Sequence, residues 1–278
     1  MPDDKHRPPI VGVIPAAGRA TRIAPLPCSK ELVPIGFHRE PANMRGRPKV
    51  VSEYLLDKMR AAGARRVYFV VRPGKFDIAE YYGDGSRIGL NLAYLMMGDP
   101  YGPPFSVAQA APFMTDALVL FGFPDILVKP DDGLTRLVAR LQQTRADLVL
   151  GLFRATDDQS IDLVKRDADG RVRSLVTKED APPRAAGDLG YMLAAWGPAF
   201  TAFLIEETTA LSREARSGAH GSSPNWPMGV VMAAAIREGL RIDSVLFDDA
   251  HFLDIGTPAG LAAAASFPDV WCGTGQLV

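Results

Sequence analysis

Between residues 10 and 153, short apolar and β-branched runs alternate with stretches of helical spacing, and no other feature restricts the fold as strongly. Ile10–Ile14 reads IVGVI and Val67–Val71 reads VYFVV. Runs that are apolar at consecutive positions suit strands covered on both faces, which is typical of parallel sheets. Between them Val51, Leu55, Met59 and Ala62 recur at helical spacing, and Gly63 is placed to end that helix. Further strands are expected at Leu90–Leu95, Ala117–Phe121 and Asp147–Phe153, with Leu134, Leu137, Val138 and Leu141 striping another helix. Such alternation predicts βαβ units, hence a three-layer α/β fold built on a mostly parallel sheet.

The rhythm changes after residue 153. Residues 161–177 read as a β-hairpin turning at Asp169-Gly170. A loop is expected over 178–188, a strand ending near Trp196, a helix reaching Arg216, and a loop from Ser217 to Pro227. Val230–Arg237 reads as helix, Ile242–Phe247 as strand, and Pro258–Ala265 as a helix with proline in its first turn. One domain over residues 1–278 is expected, with a nucleotide-binding half at about 10–155 and a substrate-facing half at about 156–278.

The 31 basic and 32 acidic residues leave a formal net charge of −1. No broad positive field is available to hold nucleic acid, so any phosphate site must be a local cluster of cations. Cys28 and Cys272 stand far apart without metal-ligand spacing, which fits a reducing, cytoplasmic setting. The N-terminal MPDDKHRPPI lacks a signal-like apolar stretch, and no run approaches the roughly 18 apolar residues of a membrane span.

The segment most informative about chemistry is Pro15–Leu32, PAAGRATRIAPLPCSKEL. Ala16, Ala17, Gly18 and Ala20 are small residues after a buried strand, where backbone N–H groups can approach phosphate oxygens. Arg22 and Lys30 add a bidentate and a compact cation. Neither G-x-x-x-x-G-K-[ST] nor G-x-G-x-x-G is present. Taken alone, the segment reads equally well as a Gly/Ala turn leading into a proline-rich surface loop.

In its wider context the segment resembles the signature of the sugar-1-phosphate nucleotidyltransferases, the glucose-1-phosphate thymidylyl- and uridylyltransferase family. Thr21, Arg22, Pro25 and Lys30 stand at the family's spacing, followed by Glu31-Leu32-Val33-Pro34-Ile35. Ala20 replaces the usual glycine and Ser29 the usual proline; Ala20 is small enough for the loop to close on phosphates at a negative φ. The likeness continues through Lys49-Val50-Val51, Ala62-Gly63, Tyr82–Ser86, Gly89-Leu90 and Tyr94. It implies the nucleotide-diphospho-sugar transferase fold, a Rossmann-like type.

Two aspartates fall where a metal would be needed. Asp125 follows the strand Ala117–Phe121, and ligands of open α/β sheets gather at the carboxyl ends of strands. By itself it reads as a cap or turn residue. By resemblance Phe123-Pro124-Asp125 takes the place of the family's Leu-Gly-Asp, so Asp125 is expected to bind Mg²⁺. Asp254 lies in FLDIGTP, which resembles the family's W-x-D-x-G-T-P and implies a second metal ligand. Thr257 is expected to cap the helix that begins at Pro258. The chain ends soon after this motif, and a hexapeptide-repeat β-helix with acyltransferase activity is not expected.

On the substrate side the resemblance aligns Lys178 with the lysine that faces the sugar phosphate, Thr177 with a glutamate that touches sugar hydroxyls, and Gly190-Tyr191 with a segment lying against the sugar. An acidic segment usual in the family is replaced by SSPNWPMGV at 222–230. In the base-reading region Met97 and Gly102-Pro103-Pro104-Phe105 replace the usual residues, and a thioether cannot make the paired hydrogen bonds of an amide. The resemblance implies formation of a nucleoside-diphosphate sugar from a nucleoside triphosphate, dTTP or UTP, and a sugar 1-phosphate such as glucose 1-phosphate, with Mg²⁺ as cofactor and homo-oligomerisation possible. Arg22, Lys30 and Lys178 would be catalytic; Ala16, Ala17, Gly18, Thr21, Met97 and Gly102 would line the nucleotide. The departures leave open a same-fold transferase acting on a cyclitol phosphate or phosphocholine, and a non-catalytic regulatory homologue.

Overall fold

Hydrophobic runs such as IVGVI form strands because their side chains cover both faces of one sheet, and that sheet positions everything else. The computed structural model describes residues 8–38, 47–98, 101–155, 161–181, 188–216, 225–248 and 250–266. In chain order the strands are β1 Ile10–Pro15, β2 Pro34–Phe37, β3 Pro48–Val50, β4 Arg66–Val71, β5 Asn91–Met96, β6 Leu118–Gly122, β7 Ile126–Lys129 and β8 Leu148–Arg154. They continue with β9 Leu163–Arg166, β10 Val172–Val176, β11 Leu189–Trp196, β12 Ile242–Leu246 and β13 His251–Asp254. The helices are α1 Val51–Ala61, α2 Asp77–Tyr82, α3 Pro103–Ala110, α4 Gly133–Thr144, α5 Pro198–Arg216, α6 Met228–Arg237 and α7 Pro258–Ser266.

β5, β4, β1 and β6 lie side by side and parallel, as the alternation predicts. β11 then pairs antiparallel with both β6 and β8, and β12 completes that edge parallel to β8. The sheet is therefore mixed at its centre. The β9–β10 hairpin joins β11 through Leu189 and Val164, beyond the point where β6 ends at Gly122. It overhangs the carboxyl edge of the parallel strands, the edge at which ligands collect in such folds.

Helices cover both faces. α3, α5 and α6 pack through Val107, Phe200, Leu204 and Val231 onto Val11 and Val13 of β1. α1 and α4 pack through Leu56, Met59, Leu134 and Leu137 onto Ile14 and the opposite face. Gly12 allows this approach, since a Cβ there would lie 2.5 Å from the Met59 sulfur. α1 ends as expected: Gly63 takes φ +98, and the Ala64 N–H donates to Met59 O at 3.0 Å, closing the helix end.

A smaller layer is formed by the β2–β3 hairpin, the β7–β13 ribbon and α7, packed through Ile35, Val51, Tyr54, Leu127, Ile255 and Ala264. In the ribbon Asp254 pairs opposite Ile126, and the Ile255 N–H donates to the carbonyl of Asp125 at 3.0 Å. Two aspartates far apart in sequence are thereby fixed side by side. Part of the loop expected over 178–188, and most of that expected over Ser217–Pro227, lie outside the described residues.

Candidate active site

Asp125 and Asp254 are anchored by the β7–β13 ribbon, and each meets a cation from the loop after β1. Lys30 Nζ donates to Asp125 Oδ2 at 2.5 Å, with both side chains largely buried. Arg22 Nη2 lies 3.3 Å from Asp254 Oδ2 in a more open position, the arginine 59% exposed. The two pairs meet at Gly256. A Cβ built there would lie 2.8 Å from Asp125 Oδ2, 2.8 Å from Asp254 Oδ1 and 3.0 Å from Arg22 Nη2. The two carboxylate oxygens are therefore separated by at most twice that first distance. The Gly256 N–H donates to Asp254 Oδ1 at 2.8 Å, and Thr257 Oγ1 caps α7 by accepting from the Gly260 N–H at 3.0 Å. Gly256→Ala is accordingly expected to splay the carboxylates and lower turnover by up to about 10²-fold, measured as kcat with folding checked by circular dichroism.

Lys30 sits on a 3₁₀ turn, Lys30–Leu32, whose interior carries a second ion pair. Lys75 Nζ donates to both carboxylate oxygens of Glu31 at 2.8 Å, and Glu31 is fully buried. Burial works against both of these charges, and their mutual attraction opposes it. Burial also lowers Lys30, but the Asp125 and Glu31 carboxylates outweigh that and hold its ammonium above the usual lysine range. Glu31 follows Lys30 in the family-like segment, but its pairing with a lysine 44 residues away leaves no local signal.

The small residues of the loop divide. Ala16 and Ala17 are buried, and the Ala16 N–H donates to Val70 O at 2.8 Å, so that group is committed to the sheet. Gly18, Thr21 and Arg22 are exposed. Ala20 does not take the negative φ expected of it: its φ is +53, the left-handed region that the family's glycine would occupy at little cost. The loop holds a left-handed backbone at this position despite the Cβ.

Arg22, Lys30, Asp125 and Asp254 share a cleft of about 490 Å³ with Lys178, Tyr191 and a residue not singled out from sequence, Asp162. Lys178 is exposed, its ammonium 3.9 Å from Glu179, while its backbone N–H donates to Asp162 Oδ1 at 3.0 Å. The Tyr191 hydroxyl donates to Asp162 Oδ2 at 3.2 Å; burial and the neighbouring carboxylate push that hydroxyl well above the usual tyrosine range, so it stays a donor. Thr177 is buried and donates to Asp180 Oδ2 at 3.0 Å, and Gly190 abuts Ile161, where a Cβ would come within 2.1 Å.

Met97 and Gly102 do not themselves line that cleft, although Gly102 adjoins Pro103, which does. Met97 is buried, and its sulfur accepts from Ser106 Oγ at 3.4 Å. Gly102 takes φ +111 against the backbone of Trp226, whose carbonyl oxygen a Cβ would meet at 2.1 Å; the Trp226 N–H donates to Tyr101 O at 2.9 Å.

The donor chemistry fits a hard divalent cation. Mg²⁺ takes oxygen ligands and is commonly held by one or two carboxylates together with substrate phosphates. Asp125 and Asp254 offer two such carboxylates, and among the described residues no group of three or more His, Cys, Asp or Glu side chains could hold a metal.

Cations and paired carboxylates thus gather at the carboxyl edge of a largely parallel sheet, where α/β proteins of this class bind their ligands. The sequence profile described as nucleotidyl transferase matches residues 11–269, and the chain belongs to that family. It is 26% identical over 175 residues to the low-salt glycan biosynthesis nucleotidyltransferase Agl11 of Haloferax volcanii, covering 62% of this chain and 45% of that relative. It is 29% identical over 175 residues to the mannose-1-phosphate guanylyltransferase of Mycobacterium tuberculosis, again 62% of this chain and 45% of the relative. The chain thus spans about half the length of these curated relatives. A solved structure described as a glucose-1-phosphate thymidylyltransferase from Bacillus anthracis in complex with sucrose superposes with a TM-score of 0.74 at 13% identity, covering 96% of this chain and 97% of that one. The UTP-bound UGPase from Acinetobacter baumannii gives 0.66 at 16% identity, covering 93% and 92%. Both likenesses establish the nucleotide-diphospho-sugar transferase fold.

Proposed function

We propose that this chain joins a nucleoside triphosphate to a sugar 1-phosphate and releases pyrophosphate, with dTTP or UTP and glucose 1-phosphate as the leading pair. The observation that carries the reading is the meeting of the Lys30–Asp125 and Arg22–Asp254 pairs at Gly256, in one cleft with Lys178. A phosphate oxygen of the sugar 1-phosphate attacks the α-phosphorus in line; its new P–O bond forms as the bond to the β-phosphate oxygen breaks, and pyrophosphate leaves. That oxygen is already ionised at neutral pH, so no general base is required, and catalysis rests on positioning and charge compensation.

In this reading Lys30 holds the triphosphate, Arg22 grips the pyrophosphate end, and Lys178 orients the incoming phosphate. Gly18 and Thr21 border the triphosphate, and the nucleotide half ends near residue 155. Asp125 and Asp254 would hold Mg²⁺, which supplies charge neutralisation at the phosphates when bound. A homo-oligomeric state and a cytoplasmic location belong to the same proposal; among the described residues, no helix is long and apolar enough to cross a membrane.

The relatives named as guanylyl- and thymidylyltransferases support the chemistry while differing in base and sugar. A second reading, the same transfer onto a cyclitol phosphate or phosphocholine, is favoured by Thr177, whose hydroxyl is spent on Asp180. A panel of nucleoside triphosphates against hexose 1-phosphates, inositol phosphate and phosphocholine, scored by pyrophosphate release with and without Mg²⁺, separates the readings. Release that requires both a hexose 1-phosphate and Mg²⁺ is expected. Release only with phosphocholine would replace the first reading by the second, and no release with any pair would remove both.

A further inference from the structure

The carboxylate that the resemblance leads one to expect at position 177 is absent, yet the cleft wall beside Lys178 carries another one, supplied by the residue just before β9. Asp162 Oδ1 accepts from the Lys178 N–H at 3.0 Å and Oδ2 accepts from the Tyr191 hydroxyl at 3.2 Å. An ionised carboxylate has about four lone-pair sites, so these two bonds leave it with acceptor capacity. The first turn of α6 presses on the same group: a Cβ at Gly229 would lie 2.2 Å from Oδ2, so that turn approaches Asp162 only because position 229 has no side chain. Tyr191, Lys178 and α6 thus hold the side chain in one orientation, on the lining of the cleft.

We propose that Asp162 is the specificity-determining residue of the acceptor half of the site, accepting hydrogen bonds from hydroxyls of a hexose 1-phosphate whose phosphate faces Lys178. The inference rests on the transferase reading above and narrows it. Three features carry it. Asp162 is tied through a backbone bond to the residue assigned to the incoming phosphate, so a hydroxyl near that phosphate lies within its reach. Its remaining acceptor sites suit a partner rich in O–H donors, which phosphocholine lacks. Burial raises its carboxyl above the usual range against the pull of its two hydrogen bonds, so hydroxyl donors from a substrate would replace water that the group has lost.

The test is equilibrium binding by calorimetry, with pyrophosphate release measured alongside. Glucose 1-phosphate, its monodeoxy analogues and phosphocholine are titrated into wild type and Asp162→Asn, and UTP and dTTP into both. Asp162→Asn is expected to weaken glucose 1-phosphate by about 10-fold to 100-fold, the usual worth of hydrogen bonds to a charged group, with triphosphate affinity unchanged. In wild type at least one monodeoxy analogue should bind about 10-fold more weakly, and that penalty should vanish in Asp162→Asn. This wild-type series needs no variant to fold. Equal affinity for glucose 1-phosphate and every deoxy analogue, preference for phosphocholine, no binding of glucose 1-phosphate, or equal loss of triphosphate and sugar phosphate in Asp162→Asn would each overturn the assignment. Binding of glucose 1-phosphate that depends on Asp162 without pyrophosphate release would sink the transferase reading and leave the hydroxyl-reading site standing.

Discussion

Replacing Asp125 with asparagine is expected to lower kcat by about 10²–10³-fold, with a smaller fall in the unfolding midpoint, because the buried Lys30 ammonium loses one counter-charge but keeps Glu31 and Asp254 nearby. The substitution keeps the shape of a buried residue that is only 6% exposed, and the amide oxygen can still accept from Lys30. What disappears is one negative charge at the point where Lys30, Arg22 and Asp254 meet. A merely structural Asp125 would show the opposite pattern, with lost stability and little change in the rate of the folded fraction. Lys30→Ala is a blunter probe. It should also lose turnover, but it leaves the carboxylate of Asp125 buried without its ammonium, so stability is expected to fall with activity.

The second large effect is on stability. Lys75→Met removes the ammonium that donates to both oxygens of the Glu31 carboxylate and is expected to cost about 3–5 kcal/mol, the usual penalty for stranding one partner of a buried pair. Glu31→Leu combined with Lys75→Met removes both charges and should recover most of that loss, because the pair must also offset the desolvation of both ions. Urea unfolding of the wild type, the single and the double variant checks this. Equal destabilisation in the single and double variants would show that the pair's geometry, rather than the stranded charge, is what matters. Because Glu31 adjoins Lys30 on the same 3₁₀ turn, the double variant also reports whether the buried pair positions that lysine.

The parallel part of the sheet was readable from IVGVI, VYFVV and the later runs because a strand covered on both faces has no polar alternation to hide it. The hairpin turn at Asp169-Gly170 and the cap at Thr257 were likewise local, set by one or two residues. The reversal of β11 in mid-sheet was not readable, since LGYMLAAW is apolar whichever way it runs. Four-residue strands such as ILVK and HFLD carry too little pattern to announce the β7–β13 ribbon, although that ribbon is what unites Asp125 with Asp254.

The site divides in the same way. Arg22, Lys30, Asp125 and Asp254 stood out because each lies in a motif with fixed spacing, and the structure brings all four together. Asp162 and Lys75 gave no such sign, and Glu31, although it follows Lys30 in the motif, gave none of its buried partner. Each owes its role to partners that only the folded chain supplies, across 16 and 29 residues for Asp162 and 44 for Glu31. Ala20 shows the reverse case: the substitution was visible, but its backbone followed the loop's demand for a left-handed residue.

The most direct measurement is a crystal structure of the chain with Mg²⁺ and a nucleoside triphosphate bound. The expected result is one phosphate chain touching both Arg22 and Lys30, with a single metal ion reached by Asp125 and Asp254 together. Phosphates lying outside this cleft, or an ion held by one aspartate while the other faces elsewhere, would contradict it.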